Sequence, residues 1–491
     1  MGREEQVVEE RKRKIEELKK KGISAYPARF DVKENIGECV KSKLGAKVRT
    51  AGRLVSKREL GKISFAKLKD NSGSIQLVFQ DEKTPEKIFE FFGKYIDAGD
   101  FAGVEGEIFK TKTEEISILV KNITLLSKAI LPLPEKFHGL QDEEEKLRKR
   151  YLDVILNPEV MAMFERKSKF WQTMRQFLLS KGFMEVETPV LENTPGGAEA
   201  KPFITHHNAL NLDVYLRISP ELWLKRLMVA GYSKVFEIGR IFRNEGMDAE
   251  HLQDYTQMEF YWAYADYNDG MKLVEEMYKH IAKETFGTLK FKIKEFDIDL
   301  GKKWEIYDFV GIIKKMTGID ILKSDLKIIE NKLKELKIDY DKKGFNITRG
   351  VDNLWKYCRK KIAGPGFLIN VPVFMEPLAK RMEKNTELVE RYQIILAGSE
   401  VGKGFSELND PIDQLGRFEE QQKLREGGDE EAQMKDDEFV EALKYGMPPT
   451  TGFGISERLF SFLEGKPIRE CVIFPLMRPK EEKAEKKKEK K

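Results

Sequence analysis

The 491-residue sequence predicts an α+β protein in which a small β-barrel precedes a larger domain of strands and helices. Three observations carry that expectation. Short alternating runs of apolar and β-branched residues crowd the stretch from Val48 to Leu126, with one helical run among them. Beyond a proline-bearing segment, helical and strand patterns succeed one another across residues 161–479. The chain is also too long for one ordinary compact domain.

Composition narrows the classes of function. Hydrophobic residues at 41% can fill a core, and charged residues at 35% suit a water-exposed surface. The net charge of +4 hides 87 bases against 83 acids, so any contact with nucleic acid must come from local patches. Cys39, Cys358 and Cys471 are odd in number and lack CxxC spacing, which fits a reducing compartment and argues against a zinc site. The N-terminus "MGREEQVVEERKRKIEELKKKG" has no apolar centre to act as a signal peptide. No run of about 18 apolar residues occurs, so no membrane span is expected and the protein is read as cytoplasmic.

Taken in order, Glu4 to Lys21 carries Val7, Ile15 and Leu18 among charges and reads as an exposed amphipathic helix ending at Gly22. Its bases suit either solvent or nucleic acid. Residues 1–46 form the lead-in, and 47–128 the barrel. There "VRTAGRLVSKR", "KISFAKLKD", "GSIQLVFQ", "DFAGVEGEIFKTK" and "EISILVKNITLLS" read as strands, with "DNSG" as a hairpin turn and "PEKIFEFFGKYI" as a helix. Five strands and a helix suggest a small barrel, of which the oligonucleotide-binding (OB) type is one member. Phe65, near Lys57, Arg58 and Lys62 and followed by Gln76, suits base stacking in a basic groove. A lone strand phenylalanine is more often part of a barrel core.

Residues 129–160 read as a linker, opening on the prolines of "AILPLPEKFHGL" and then turning helical. "FERKSKFWQTMRQFLLSKGFMEVETPVL" places Phe164, Trp171, Met174 and Leu178 at helical spacing and leads into a strand ending at Pro189. Residues 302–364 read as a lysine-rich helical insertion with no assigned chemistry, and 480–491 as a disordered Lys/Glu tail.

Chemistry concentrates in "SKVFEIGRIFRNEGMDAEHLQDYTQMEFYWAYADY". An apolar strand runs out to Arg243, a polar loop follows, and a second apolar run returns. The inner face of this long hairpin offers Arg243, Glu245, His251, Tyr255, Glu259 and Tyr261. Arginine grips phosphate or carboxylate in a bidentate fork. Downstream, "TGFGISERLFSFLEG" is a glycine-spaced strand running into a helix, with Arg458 in its first turn where the backbone dipole favours an anion.

The combination of blocks resembles class II lysyl-tRNA synthetases from about Lys14 to Pro479. "GRLVSKRELGKISFAKLKD" and "GSIQLVF" are similar to that family's anticodon-binding OB barrel. "KFHGLQDEEEKLRKRYLD", "GGAEAKPFITHHNAL", "YLRISPELWLKRL", "FEIGRIFRNEG", "FSELNDPIDQLGRF" and "GMPPTTGFGISERL" resemble its antiparallel-sheet catalytic domain, in the same order. The resemblance implies ATP-dependent activation of L-lysine to an adenylate, then transfer to the 3′ end of tRNA(Lys). Catalysis of that kind rests on positioning and charge stabilisation. Arg243 and Arg458 are implied as the catalytic pair, Arg243 on the substrate carboxylate and α-phosphate. Arg458 and His251 would take the outer phosphates, Glu245 the adenine amino group, and Tyr255, where the family more often has Phe, the ring. Glu400 would bind Mg2+ beside ATP, with Gln393 and Glu407 as further candidate ligands. Glu221 and Glu259 would face the α-amino group and Glu407 the ε-ammonium. Tyr261 and Phe405 would line the methylene stem, Gly197 would cover the substrate, and Lys403 would contact it. Arg58, Phe65 and Gln76 are the implied anticodon contacts. The unit around Pro189 implies a homodimer.

The sequence departs from the family pattern at three places. Gln393 stands where glutamate is usual, Lys403 where asparagine is usual, and Ser456 and Glu457 where glycine and aspartate are more common. Losing an acid and gaining a cation suggests that fewer magnesium ions bind and that Lys403 supplies part of the neutralising charge. The nearest competing readings are an aspartyl- or asparaginyl-tRNA synthetase, a non-catalytic RNA-binding relative, and a relative that attaches lysine to protein.

Overall fold

The computed structural model describes residues 2–134, 140, 142–246, 248, 250–342 and 344–480, and divides into two compact units at Glu145. In the first, β1 (Lys47–Leu60), β2 (Ile63–Lys69), β3 (Ser74–Gln80), β4 (Phe101–Lys110) and β5 (Ile116–Ser127) close a barrel in the order β1-β2-β3-β5-β4. Strict alternation turns Ala66, Leu68, Leu77 and Phe79 inward with Leu54, Val104 and Ile118. Asp70 accepts backbone hydrogen bonds from Ser72 and Gly73, shaping the β2–β3 turn. Helix Glu86–Tyr95 bridges β3 and β4.

The N-terminal helix, Arg3–Lys20, is docked rather than merely solvated. Leu18 is buried, Arg11 donates to the carbonyls of Ala98, Ala129 and Leu131, and Lys14 pairs with Asp97 at 2.8 Å. Those two bases are engaged with protein.

The second unit is built on an eight-stranded sheet. From edge to edge it runs Glu305–Asp308, Gly366–Ile369, Arg391–Leu396, Ser399–Ser406, Thr450–Ser456, Asp254–Ala263, Lys234–Phe242 and Met184–Glu185. The central pairings are antiparallel, and the outermost pair at each edge is parallel. One face packs Met258, Phe260, Tyr392, Ile394, Phe453 and Ile455 against Phe170, Met174 and Leu178 of helix Pro158–Ser180, and Val274, Met277 and Ile281 of helix Tyr267–Phe286.

Three expectations change here. Residues 302–364 are not a separate insertion, because Glu305–Asp308 forms a sheet edge. Helices Phe309–Thr317 and Ile347–Arg359 place Phe309, Ile313, Leu354 and Trp355 in one core with Tyr261, Leu368 and Phe405. The helical turn expected within the linker is present at Glu143–Arg148 and Arg150–Leu156, but the linker bound at 160 moves, because Arg150 and Asp153 form a buried pair at 2.7 Å and the long helix starts at Pro158. The strand expected to reach Pro189 pairs only over Met184–Glu185. The Lys/Glu tail beyond residue 480 lies outside the described residues, as do residues 135–139 and 141 of the linker. Among the described residues no helix is long and apolar enough to cross a membrane. Cys39, Cys358 and Cys471 are free and buried.

Candidate active site

Strand parity explains which residues meet. On the face opposite the long helices, cross-strand registers align Arg391, Phe405, Gly452 and Tyr261 in one row, and Gln393, Lys403, Gly454 and Glu259 in the next. Gln257 and Ser456 form a third. Directly opposed residues share a face, so these rows floor a single cavity of about 370 Å³. Gly452 to Ser456 spans about 13 Å along the strand, at roughly 3.3 Å per residue. The cavity therefore has two ends.

One end is acidic. Glu221, first residue of helix Glu221–Val229, lines it with Glu259 and Glu407, and all three are buried. Glu259 accepts from Ser219 Oγ at 2.7 Å, Tyr261 Oη at 3.0 Å and Gln257 Nε2. Burial, with Glu221 close by, pushes the Glu259 carboxyl up to about 7. Burial also raises Glu407 well above the ordinary carboxylate value, with Lys225 as the main opposing influence. Two glycines make room. Gly197 has φ +83°, and a Cβ there would meet Glu221 Cβ at 2.7 Å and Ser219 Oγ at 2.8 Å. A Cβ on Gly452 would collide with Glu407 Oε1. Glu407, a metal-ligand candidate in the sequence, instead has Lys225 as its ion-pair partner at 2.5 Å.

The other end is basic. Arg243 lines it with its guanidinium 5.6 Å from the Tyr255 ring centre, and its buried Nε has no hydrogen-bond partner among the described residues. Arg458 opens helix Arg458–Glu464, and its Nε is likewise buried and unpartnered. Its remaining reach is taken by Glu250, which also pairs with Lys294 at 2.7 Å. Burial would raise Glu250, but Arg458 and Lys294 hold the carboxyl down at about 2. Glu245 does not line the cavity and is raised by burial against the pull of Arg243. His251 is exposed, pairs with Asp248 at 2.8 Å and also stands off the cavity.

Glu400 reaches this cavity through a bulge. The register slips between Gln393 and Ile395, so Ile395 faces Glu400 and an even-numbered residue joins the odd-numbered face. Trp355 Nε1 donates to Glu400 Oε1 at 2.6 Å. Burial would raise Glu400, but Arg359 and Arg391 outweigh it and hold the carboxyl below its ordinary value. Gln393 accepts from Arg391, and Lys403 Nζ lies 3.3 Å from Glu376, which also pairs with Arg391 at 2.9 Å. No group of three metal-ligating side chains occurs among the described residues. One carboxylate with a neutral amide nearby still fits Mg2+, which keeps several waters and binds through one or two carboxylates plus phosphate.

Lys225, Glu250, Trp355, Glu376 and Arg391 were not among the residues singled out from sequence. In the barrel, Phe65 is half-exposed and absent from the core cluster. Arg58 and Phe65 are direct cross-strand partners, and Gln76 sits one pair along, opposite Lys67. Gln76 Nε2 donates to Glu115 at 3.0 Å, and its Oε1 accepts from Ser117 at 2.9 Å.

Comparison with known proteins agrees with both units. Residues 142–478 match the family model described as tRNA synthetases class II (D, K and N), and residues 48–126 match that of the OB-fold nucleic acid binding domain. A lysine–tRNA ligase of Thermotoga maritima is 43% identical over 97% of each chain. One from Thermosipho africanus is 43% identical over 96% of each. A third, from a Thermoanaerobacter species, is 44% identical over 96% of this chain and 95% of its own.

Proposed function

The chain belongs to the class II tRNA synthetases of the aspartate, lysine and asparagine group, and from that premise we propose that it is the lysine-specific ligase. It activates L-lysine with ATP and transfers the lysyl group to the 3′ end of tRNA(Lys). The observation that carries the choice of amino acid is the acidic end of the cavity. Glu221, Glu259 and Glu407 are all buried there, and buried cations demand such partners. Glu221 and Glu259 receive the α-ammonium, Glu407 receives the ε-ammonium, and Tyr261 and Phe405 flank the methylenes. An aspartate side chain in the same place would be repelled by Glu407.

The adenylate forms at the basic end. Arg243, with its unpartnered Nε, holds the lysine carboxylate against the α-phosphate and steadies the charge that grows there. Arg458 takes an outer phosphate once Glu250 releases it. Tyr255 lies under Arg243 as a face for adenine. Glu245 receives the adenine amino group and His251 an outer phosphate. Glu400 would hold Mg2+, which would supply charge neutralisation at the phosphates; Gln393 and Lys403 lie on the same wall. The OB barrel binds the anticodon through Arg58, Phe65 and Gln76. The exposed Met184, Val190 and Leu191 around Pro189 supply the centre of a homodimer interface. A cytoplasmic location follows from substrates of this kind.

ATP–pyrophosphate exchange with lysine, aspartate and asparagine side by side tests the reading. Rapid exchange with lysine alone is expected. Exchange with aspartate or asparagine, or with none of the three, overturns it.

A further inference from the structure

Lys225 is a fully buried cation behind the acidic end of the cavity, in contact with two of its carboxylates. It lies one helical turn beyond Glu221, with its Nζ 2.6 Å from Glu221 Oε1 and 2.5 Å from Glu407 Oε2. The Phe405 and Phe439 rings lie 5.3 and 5.9 Å from the ammonium. Burial would strip its proton, but Glu221 and Glu407 outweigh that and hold it above the ordinary lysine value. Helix Glu221–Val229 thus drives a charged side chain into the pocket wall, where its two carboxylate partners come from different elements.

The consequence for Glu407 is orientation. Lys225 Nζ is ion-paired with Oε2, while Oε1 lies over Gly452 in the cavity; among the described residues neither oxygen has a hydrogen-bond partner. A carboxylate held by one oxygen presents the other in a fixed direction.

We propose that Lys225 is a specificity-determining positioning residue, a resident ammonium that clamps Glu221 and Glu407 so that Glu407 Oε1 is aimed at the distal ammonium of the substrate. The proposal rests on the reading of the cavity as a lysine-activating site. Lys225 touches neither substrate nor the reacting atoms; it acts through Glu407.

The test uses pyrophosphate exchange by the full-length protein with L-lysine and with L-norleucine, which lacks the distal ammonium. Lys225→Met should raise the lysine KM at least about tenfold and change kcat less than about threefold. The preference for lysine over norleucine should fall by at least about tenfold. In a Glu407→Gln background, where the clamped group is gone, Lys225→Met should raise the lysine KM by no more than about twofold. Lys225→Gln, of similar length but uncharged, carries the same comparison if the methionine variant does not fold. A purely structural lysine would lower Tm while leaving KM and preference unchanged, or act additively with Glu407→Gln; either result overturns the proposal. Wild-type protein that fails to activate lysine would strike the reading of the site itself, whereas lysine activation with insensitive variants strikes only the role of Lys225.

Discussion

Gln393 and Lys403 stand directly opposite each other on neighbouring strands, on the wall that also carries Glu400. An amide and an ammonium thus occupy the place where a second carboxylate would strengthen metal binding. Gln393→Glu should lower the free Mg2+ needed for half-maximal exchange by about tenfold, since affinity for Mg2+ follows the charge of its ligands. Lys403→Asn shifts the local charge the same way and should also lower that requirement, while raising the ATP KM because a cation facing the triphosphate is lost. Magnesium titration of exchange and of bound metal checks both, and unchanged metal dependence in the two variants sinks the idea that Lys403 compensates for Gln393.

Lysine binding should depend on pH through Glu259. Burial first, and Glu221 second, put its carboxyl at about 7, whereas the ordinary value is 4.5. The ionised form is the one that receives an ammonium, so kcat/KM for lysine should fall as pH drops from about 8 to 6. The ε-ammonium, with a value of about 10.4, remains charged throughout. The linked stability runs the other way. A carboxyl raised in the folded state favours folding while protonated, and that contribution is lost as pH rises from 4.5 through about 7. Glu259→Gln should therefore flatten the profile and raise Tm at pH 8 but not at pH 4. A wild-type profile flat between pH 6 and 8 would remove Glu259 as the titrating group.

Phe65 is half-exposed on the barrel exterior beside Arg58. Base stacking contributes about 1–3 kcal/mol, so Phe65→Ala should weaken tRNA charging at least about fivefold. Exchange, which needs no tRNA, should stay near wild type, and Tm should move little because the side chain lies outside the core. Parallel loss of charging, exchange and Tm would exclude the anticodon role.

Glu250 is ion-paired with Arg458. A carboxylate there mimics the charge of a phosphate and must be displaced before ATP can use the arginine. Glu250→Ala should lower the ATP KM by roughly threefold, within the range of a partly exposed ion pair. Arg458→Ala should instead abolish exchange through weaker ATP binding. A raised ATP KM in Glu250→Ala would identify Glu250 as a support for Arg458 rather than its competitor.

Much of this site is legible along the chain because strand parity is. Tyr255, Gln257, Glu259 and Tyr261 alternate with core residues, so one hairpin announces one wall of the cavity. Lys225 is not legible. A lysine one helical turn beyond a glutamate is also the signature of a solvated helix face, and its second partner, Glu407, is supplied by a distant segment. Glu250 sits in a polar loop, where a carboxylate ordinarily needs no partner. Glu400 sits on the wrong parity until a bulge corrects it, and a bulge leaves little trace in an alternating pattern. Trp355 lies in the lysine-rich stretch, whose helices look self-contained until Glu305–Asp308 joins the sheet.

The three buried thiols give each region an internal clock. Burial pushes Cys39 and Cys358 up to about 11, and Cys471 to about 12, so in the closed molecule none offers a thiolate to a modifying reagent. Covalent labelling must wait for the covering element to open. Cys39 then times the barrel, Cys358 the helix that carries Trp355, and Cys471 the segment packed against the long helices. With lysine or ATP present, a selective slowing at Cys358 would report ligand-linked closure of that helix without any engineered probe.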